Sequence, residues 1–252
     1  MPAKLYIVHG SHPCAAVKRA LEMKGIDFKL VEIPASFQVL VMPLRFGKRT
    51  VPGLRFEDGE KVQGSTAIMR RLDERVAEPK LFGDERVADA EAWGESVFQP
   101  MARRLQWRAF KFRPDAMYGF QEGGKLPALP RPVIRVMAPG VLAAEFRMNA
   151  VTDEAVRADF AALPGHLDHI DQLIADGVIG GAVPNAADLQ IASTLRLMLT
   201  LGDVRSIADG RPAAELARRL WPDHAGDVPA GTFPSAWLPE TKSASSAASV
   251  AG

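Results

Sequence analysis

Lys4-Leu5-Tyr6-Ile7-Val8-His9-Gly10-Ser11-His12-Pro13-Cys14 carries the chain from a strand into a helix, and this passage decides the fold. Lys4 to Val8 is a short apolar run rich in β-formers, closed by the Gly10-Ser11 turn signal. Pro13 suits the first turn of a helix, and Cys14, Val17 and Leu21 recur at helical spacing until Gly25 stops it. Phe28, Leu30 and Ile33 then mark a second strand that ends at Pro34. Strand, helix and strand within about thirty residues make a βαβ unit with a parallel pair.

Working outward, the stretch after Pro34 shows no clear pattern. Thr50 to Phe56 and Lys61 to Val62 then read as strands joined by the Asp58-Gly59 turn, an antiparallel hairpin. Ser65 can cap a following helix whose apolar stripe is Ile68, Met69 and Leu72, up to about Arg75. A βαβ unit followed by ββα is the order of the thioredoxin fold. The expected organisation is a thioredoxin-like α/β domain over 1–78, a linker from Glu78 to Gly83, and an all-helical domain over 84–222.

Within the second domain, Asp84 to about Phe110 reads as one long helix, and about 112–148, rich in Pro and Gly, as an irregular insertion. Thr152 opens another helix with Leu163, Leu167, Ile170, Leu173 and Ile174 on its apolar face, kinked or restarted at Pro164-Gly165. Asn185 and Asp188 form a reciprocal cap for a buried central helix that Gly202 stops. Residues 223–252 read as a Pro-rich, then Ser/Ala-rich tail whose last dozen residues are mobile.

The chain has 252 residues, with 31 basic against 30 acidic side chains and a formal charge of +1. That balance provides no field to hold a polyanion, which argues against a nucleic-acid partner. The N-terminus shows no signal pattern and no apolar run is long enough to span a bilayer, so no membrane partner and a cytoplasmic address are expected. A single cysteine, Cys14, rules out an intramolecular disulfide and a cysteine-built metal site. His9 and His12, and likewise His166 and His169, lack a partner spaced to complete a metal site and are expected at the surface or at the rim of an active site.

Three motifs resemble the glutathione transferase superfamily, over roughly residues 4 to 205. Gly10-Ser11-His12-Pro13-Cys14 is similar to the Gly-Ser-x-Pro-Cys of delta-class enzymes. Thr50-Val51-Pro52-Gly53-Leu54, Asp58-Gly59 and Ser65-Thr66-Ala67-Ile68 are similar to the family's Val-Pro, Asp-Gly and Ser-x-Ala-Ile sequence. Pro184-Asn185-Ala186-Ala187-Asp188 is similar to the capping box of the family's central C-terminal helix. Gly64 stands where the family has Glu or Gln.

The resemblance implies a homodimeric detoxification enzyme with no metal and no tightly bound cofactor. It would conjugate glutathione, or another low-molecular-weight thiol, to an apolar electrophile. Ser11 would hydrogen-bond the thiolate. Val51, before a cis Pro52, would hold the thiol's backbone; Ser65 and Thr66 would hold its γ-glutamyl carboxylate at a helix N-terminus, and Lys48 or Arg49 its glycine carboxylate. His12, Arg104, Trp107 and Arg108 would line the second-substrate pocket, as part of a basic and aromatic cluster that also includes Arg103, Phe110, Lys111 and Phe112.

A free thiol ionises near pH ~8.5, so activation means stabilising the thiolate. Each residue also has a plainer reading. Ser11 or Ser65 can be a helix cap, Pro52 an edge-strand proline, and the basic residues a solvated face. Cys14, in phase with Val17 and Leu21, fits packing better than chemistry, but leaves open a thiol oxidoreductase or peroxidase reaction through a mixed disulfide. Gly64 leaves open a non-catalytic binding protein of the same fold.

Overall fold

A computed structural model describes residues 2–35 and 37–239. Strand β1 (Ala3–Ile7), helix α1 (His12–Met23) and strand β2 (Phe28–Glu32) form the expected parallel unit, with Leu5 opposite Leu30. Helix α2 (Gln38–Phe46) fills the stretch that showed no pattern. Strands β3 (Gly53–Arg55) and β4 (Lys61–Gln63) are shorter than the expected hairpin, and helix α3 (Ser65–Arg75) follows. The sheet order is β2-β1-β3-β4, with β3 antiparallel to both neighbours. Gly59 turns the hairpin at a φ of 94°, a conformation glycine adopts without steric cost.

This topology brings three segments to one edge. Because β3 runs against β1, Tyr6 near the end of β1 pairs with Gly53 at the start of β3, and Gly53 pairs in turn with Gln63 at the end of β4. The turn into α1, the Val51-Pro52 segment and the start of α3 therefore share one side of the sheet. The Gly64 N–H donates to the Pro52 carbonyl at 3.0 Å, tying the last two together.

Helices follow from Glu85. Helix α4 (Glu85–Trp93), a π-helical turn (Gly94–Phe98) and helix α5 (Gln99–Phe112) run on continuously, as the expected long helix with a bulge. Gly94 permits close packing, since a Cβ there would lie 3.0 Å from the Ile191 side chain. The insertion is more ordered than its composition suggests. A 3-10 segment (Pro114–Gln121) leads to helix α6 (Arg131–Met148), which carries Pro139 inside it.

Helix α7 (Asp153–Ala175) is capped by Thr152, whose hydroxyl accepts from the Ala155 N–H at 3.0 Å, and it continues through Pro164 without a restart. Helix α8 (Ala186–Met198) has the full reciprocal cap between Asn185 and Asp188 and is buried almost throughout. Gly202 does not stop α8; it begins helix α9 (Gly202–Ala208), after which come α10 (Pro212–Leu220) and a short 3-10 turn (Ser235–Trp237).

Two apolar cores meet at α8. Ala186 and Leu189 pack into the core of the sheet domain, with Leu5, Val17, Leu21, Ile68 and Leu72, while Ile191 and Leu195 face the helical core. The linker is anchored through buried Lys24, whose Nζ lies 2.7 Å from Asp73, and Asp73 accepts the Leu81 and Phe82 N–H groups at 2.9 and 2.8 Å. Residues 223–239 do not trail: Val228 and Phe233 are buried in the helical core. The expected mobility of the last dozen residues lies outside the described residues.

Candidate active site

Ser11 occupies the N-cap position of α1, yet its side chain accepts no helix N–H. Pro13 has no N–H to offer. The Ser11 hydroxyl instead lies near enough to the Cys14 thiol to favour its ionisation. The plain capping role is therefore vacant, and a hydroxyl stands at the positive end of α1.

Cys14 itself is buried, and burial pushes its thiol up to about 11 despite the Ser11 hydroxyl, the Val8 backbone and the nearby Arg103 charge, which all favour ionisation. At pH 7 such a thiol is about one part in ten thousand thiolate, so it is a packing group and a poor nucleophile. The folded thiol titrates near about 11 against an ordinary 9.0, so both states hold the proton below pH 9. As the pH rises from there the unfolded chain loses its proton first, and stability falls by about 2.7 kcal/mol by the time the folded thiol titrates. Denaturant unfolding of wild type and Cys14→Ala between neutral pH and pH 11 should show the larger decline in wild type. Parallel declines would exclude this linkage.

The cis-proline segment has the expected form: the Val51-Pro52 peptide is cis. Gln63 braces its approach, donating to the Lys48 and Thr50 carbonyls at 2.8 and 2.6 Å and accepting from the Lys48 N–H at 3.0 Å. The side chains of Lys48 and Arg49 are exposed beside it.

Ser65 is not the cap of α3. Gly64 takes that position at φ 100°, ψ 142°, and Ser65 is the buried first residue of the helix. That backbone geometry is essentially restricted to glycine, so the glycine at 64 has a structural reason. The Thr66 hydroxyl lies 2.5 Å from Glu91 Oε1 and 2.9 Å from Glu95 Oε2, on the facing helices. Burial raises the pKa of Glu91, with Thr66 opposing and Glu95 reinforcing the shift.

The basic cluster on α5 divides by helix phase. Arg104 is held bidentately by Asp159 of α7 at 2.7 and 2.6 Å, and Arg108 pairs with Asp153 at 2.6 Å while lying over Phe112 and Trp237. Trp107 packs edge-on to Phe110, and Phe110 to Phe120. Arg103 is the arginine near α1, close enough to Cys14 and His12 to bias the protonation of both. Sequence spacing names Arg103 within the cluster but carries no signal that separates it from Arg104.

His12 is not a rim residue. It is buried, its Nε2 has no hydrogen-bond partner, and burial together with the Arg103 and His224 charges holds its pKa well below the usual histidine range. His166 and His169 pack tilted and edge-on against Trp93 between α4 and α7. Among the described residues no three His, Cys, Asp or Glu side chains gather as a metal site, and no helix is long and apolar enough to cross a membrane.

The insertion forms a strap over the β1–α1 turn, which no sequence signal indicates. His9 Nε2 lies 2.7 Å from the Glu122 carbonyl oxygen, Glu32 accepts from the Lys125 N–H at 2.8 Å, and the Phe120 carbonyl lies 3.5 Å from where a Cβ on Gly10 would be. Phe120 in turn covers Gly226 of the C-terminal segment and approaches His224. A cavity of about 610 Å³ lies elsewhere, in an open groove between α4 and α7 lined by Trp93, His169 and Leu173. Ser11, Val51, Ser65 and Thr66 do not border it.

Residues 5–80 match the family model of the glutathione S-transferase N-terminal domain. The described part of the chain has a glutathione transferase-like fold, a thioredoxin-like domain followed by a helical region. A glutathione S-transferase from Rhodospirillum rubrum superposes with a TM-score of 0.55 at 22% identity, over 86% of this chain and 85% of that one. Glutathione transferase F7 from Populus trichocarpa gives 0.55 at 16% identity, over 88% and 92%. A glutathione S-transferase from Methylobacterium radiotolerans, solved in complex with glutathione sulfonate, gives 0.53 at 19% identity, over 87% and 90%. No curated protein matches the sequence significantly.

Proposed function

We propose that this protein is a glutathione transferase-like enzyme that joins glutathione, or a related low-molecular-weight thiol, to an electrophile. The observation that carries this reading is the Ser11 hydroxyl, which sits at the N-terminus of α1, beside the cis-proline edge, and caps nothing. A hydroxyl donor and a helix dipole together stabilise a thiolate, and holding thiol and electrophile side by side makes their encounter effectively unimolecular.

Val51 offers its backbone to the cysteinyl part of the thiol, Ser65 and Thr66 take the γ-glutamyl end, and Lys48 or Arg49 the glycine carboxylate. The delta-class likeness of the Ser11 motif, a homodimeric assembly, a cytoplasmic location and a detoxifying role belong to the same reading. Sedimentation at micromolar concentration checks the dimer. Burial of Cys14 argues against the oxidoreductase alternative.

Thermal denaturation with and without glutathione tests the core of the reading. A ligand present at a hundred times its dissociation constant raises stability by about 2.7 kcal/mol if it binds only the folded state. An unchanged Tm with millimolar glutathione and with other low-molecular-weight thiols would favour a binding protein that has lost the thiol site.

A further inference from the structure

Arg103 is a partly buried cation without a counter-ion. Its Nη2 lies 2.5 Å from Gln99 Oε1, and among the described residues no carboxylate stands within ion-pair distance of it. Burial lowers its pKa, the opposite of what a paired guanidinium shows, and Glu145 and Glu95 only partly offset this from a distance. Glu145 is itself buried, accepts from Asn149 Nδ2 at 3.0 Å, and has its pKa raised by burial, which weakens it further as a partner.

The polar groups around Arg103 are left without partners. The Gln99 carbonyl is committed to the arginine, which can only donate, so the amide orientation is fixed; its Nε2 is buried and has no partner. His12, at 5% relative exposure, has an equally unpartnered Nε2. Buried polar groups are normally satisfied, and leaving one bare costs about 1–3 kcal/mol. One acceptor-rich anion would satisfy all three at once, with His12 as the Nε2–H tautomer.

We propose that Arg103, Gln99 and His12 form a carboxylate-binding subsite beside Ser11, so that the preferred electrophile is an apolar molecule bearing a carboxylate. This rests on the transferase reading for calling the ligand an electrophile; the anion site itself does not. Trp107 and Phe110 share the α5 face of Arg103 by helical spacing, and with Phe120 against Phe110 these rings would supply the apolar wall for the rest of the molecule. Arg104 and Arg108 take no part, because their charges are neutralised by α7.

The test uses the full chain and unreactive probes first. Calorimetric titration with nitrobenzoate and with uncharged nitrobenzamide should show about tenfold or greater preference for the carboxylate, the scale of one charged hydrogen-bonded contact. Arg103→Gln should abolish that preference and Arg103→Lys should retain part of it; Gln99→Leu, which leaves the guanidinium in place, should reduce it less. With glutathione and the corresponding chloronitro electrophiles, Arg103→Gln should lower kcat/KM for the carboxylate about tenfold, leaving the amide and the KM for glutathione unchanged.

Equal affinity for both probes, failure of nitrobenzoate to bind at millimolar concentration, or a preference that survives Arg103→Gln overturns the subsite. So does a variant that weakens glutathione while the probe ratio holds, because the guanidinium would then serve the thiol's own carboxylate. A carboxylate preference without turnover or glutathione binding would instead uphold the subsite and overturn the transferase reading.

Discussion

Ser11→Ala is expected to lower turnover at neutral pH by about 10- to 100-fold while leaving thermal stability almost unchanged. The first half follows from the strength of a hydrogen bond to a charged group, about 1.5–3 kcal/mol, which corresponds to a rise of about 1–2 in the bound thiol's pKa. With the donor gone the thiolate fraction at pH 7 falls, and with it the rate. At alkaline pH the thiol ionises unaided and the two proteins converge. The second half follows from the absence of any cap bond by the Ser11 side chain; an ordinary serine cap would cost about 1 kcal/mol when removed. Thiolate absorbance against pH, at saturating glutathione, measures the shift directly. Superimposable titrations of wild type and variant would rule out the role given to Ser11.

How far the sequence discloses this site depends on whether the deciding information is local. The β1–α1 passage is local: β-formers, a turn, a proline at the second helical position and an apolar stripe each name their own structure, and together they place Ser11. The hairpin and the Asn185–Asp188 cap are legible for the same reason. Helix α2 is not, because Pro43 lies within it and Leu40 and Leu44 are exposed, so neither a buried stripe nor an uninterrupted pattern announces it.

Helix α6 hides in another way. Pro132 sits in its first turn, where proline is tolerated, but Pro139 lies inside and reads as a breaker. The arginines of α5 pose a harder problem. Arg103 and Arg104 are adjacent in sequence and about 100° apart around a helix, so one approaches His12 and Cys14 while the other meets Asp159. Only the partners brought up by distant segments tell them apart. The strap over Gly10 and the segment at 221–239 are set by such long-range contacts, between Phe120 and Gly226 and between Asp203 and the 231–233 backbone.

Gly202→Ala is expected to be the most destabilising of these substitutions, by about 3–5 kcal/mol. A Cβ at 202 would lie 2.2 Å from the Ala230 nitrogen and 2.8 Å from its Cα. Both are backbone atoms, so no rotamer change can relieve the clash; the C-terminal segment must move. That segment is fastened here by the Gly202 N–H to the Val228 carbonyl at 2.7 Å and the Val228 N–H to the Thr200 carbonyl at 2.8 Å. Next to it, the buried Asp203 carboxylate accepts from the N–H groups of Gly231, Thr232 and Phe233 at 2.6, 3.0 and 3.0 Å. Displacing the segment strands these groups and withdraws Phe233 from Phe160. It also withdraws Gly226 and His224 from the strap, so lost activity should accompany lost stability. For a chain of this size the change corresponds to a fall in Tm on the order of 10 °C. Gly165→Ala is the control: this glycine lies within α7, and a Cβ there would meet nothing within 4 Å, so alanine should be neutral or stabilise by about 1 kcal/mol. Equal melting temperatures for the two variants would mean that the close approach at Gly202 does not hold the C-terminal segment in place.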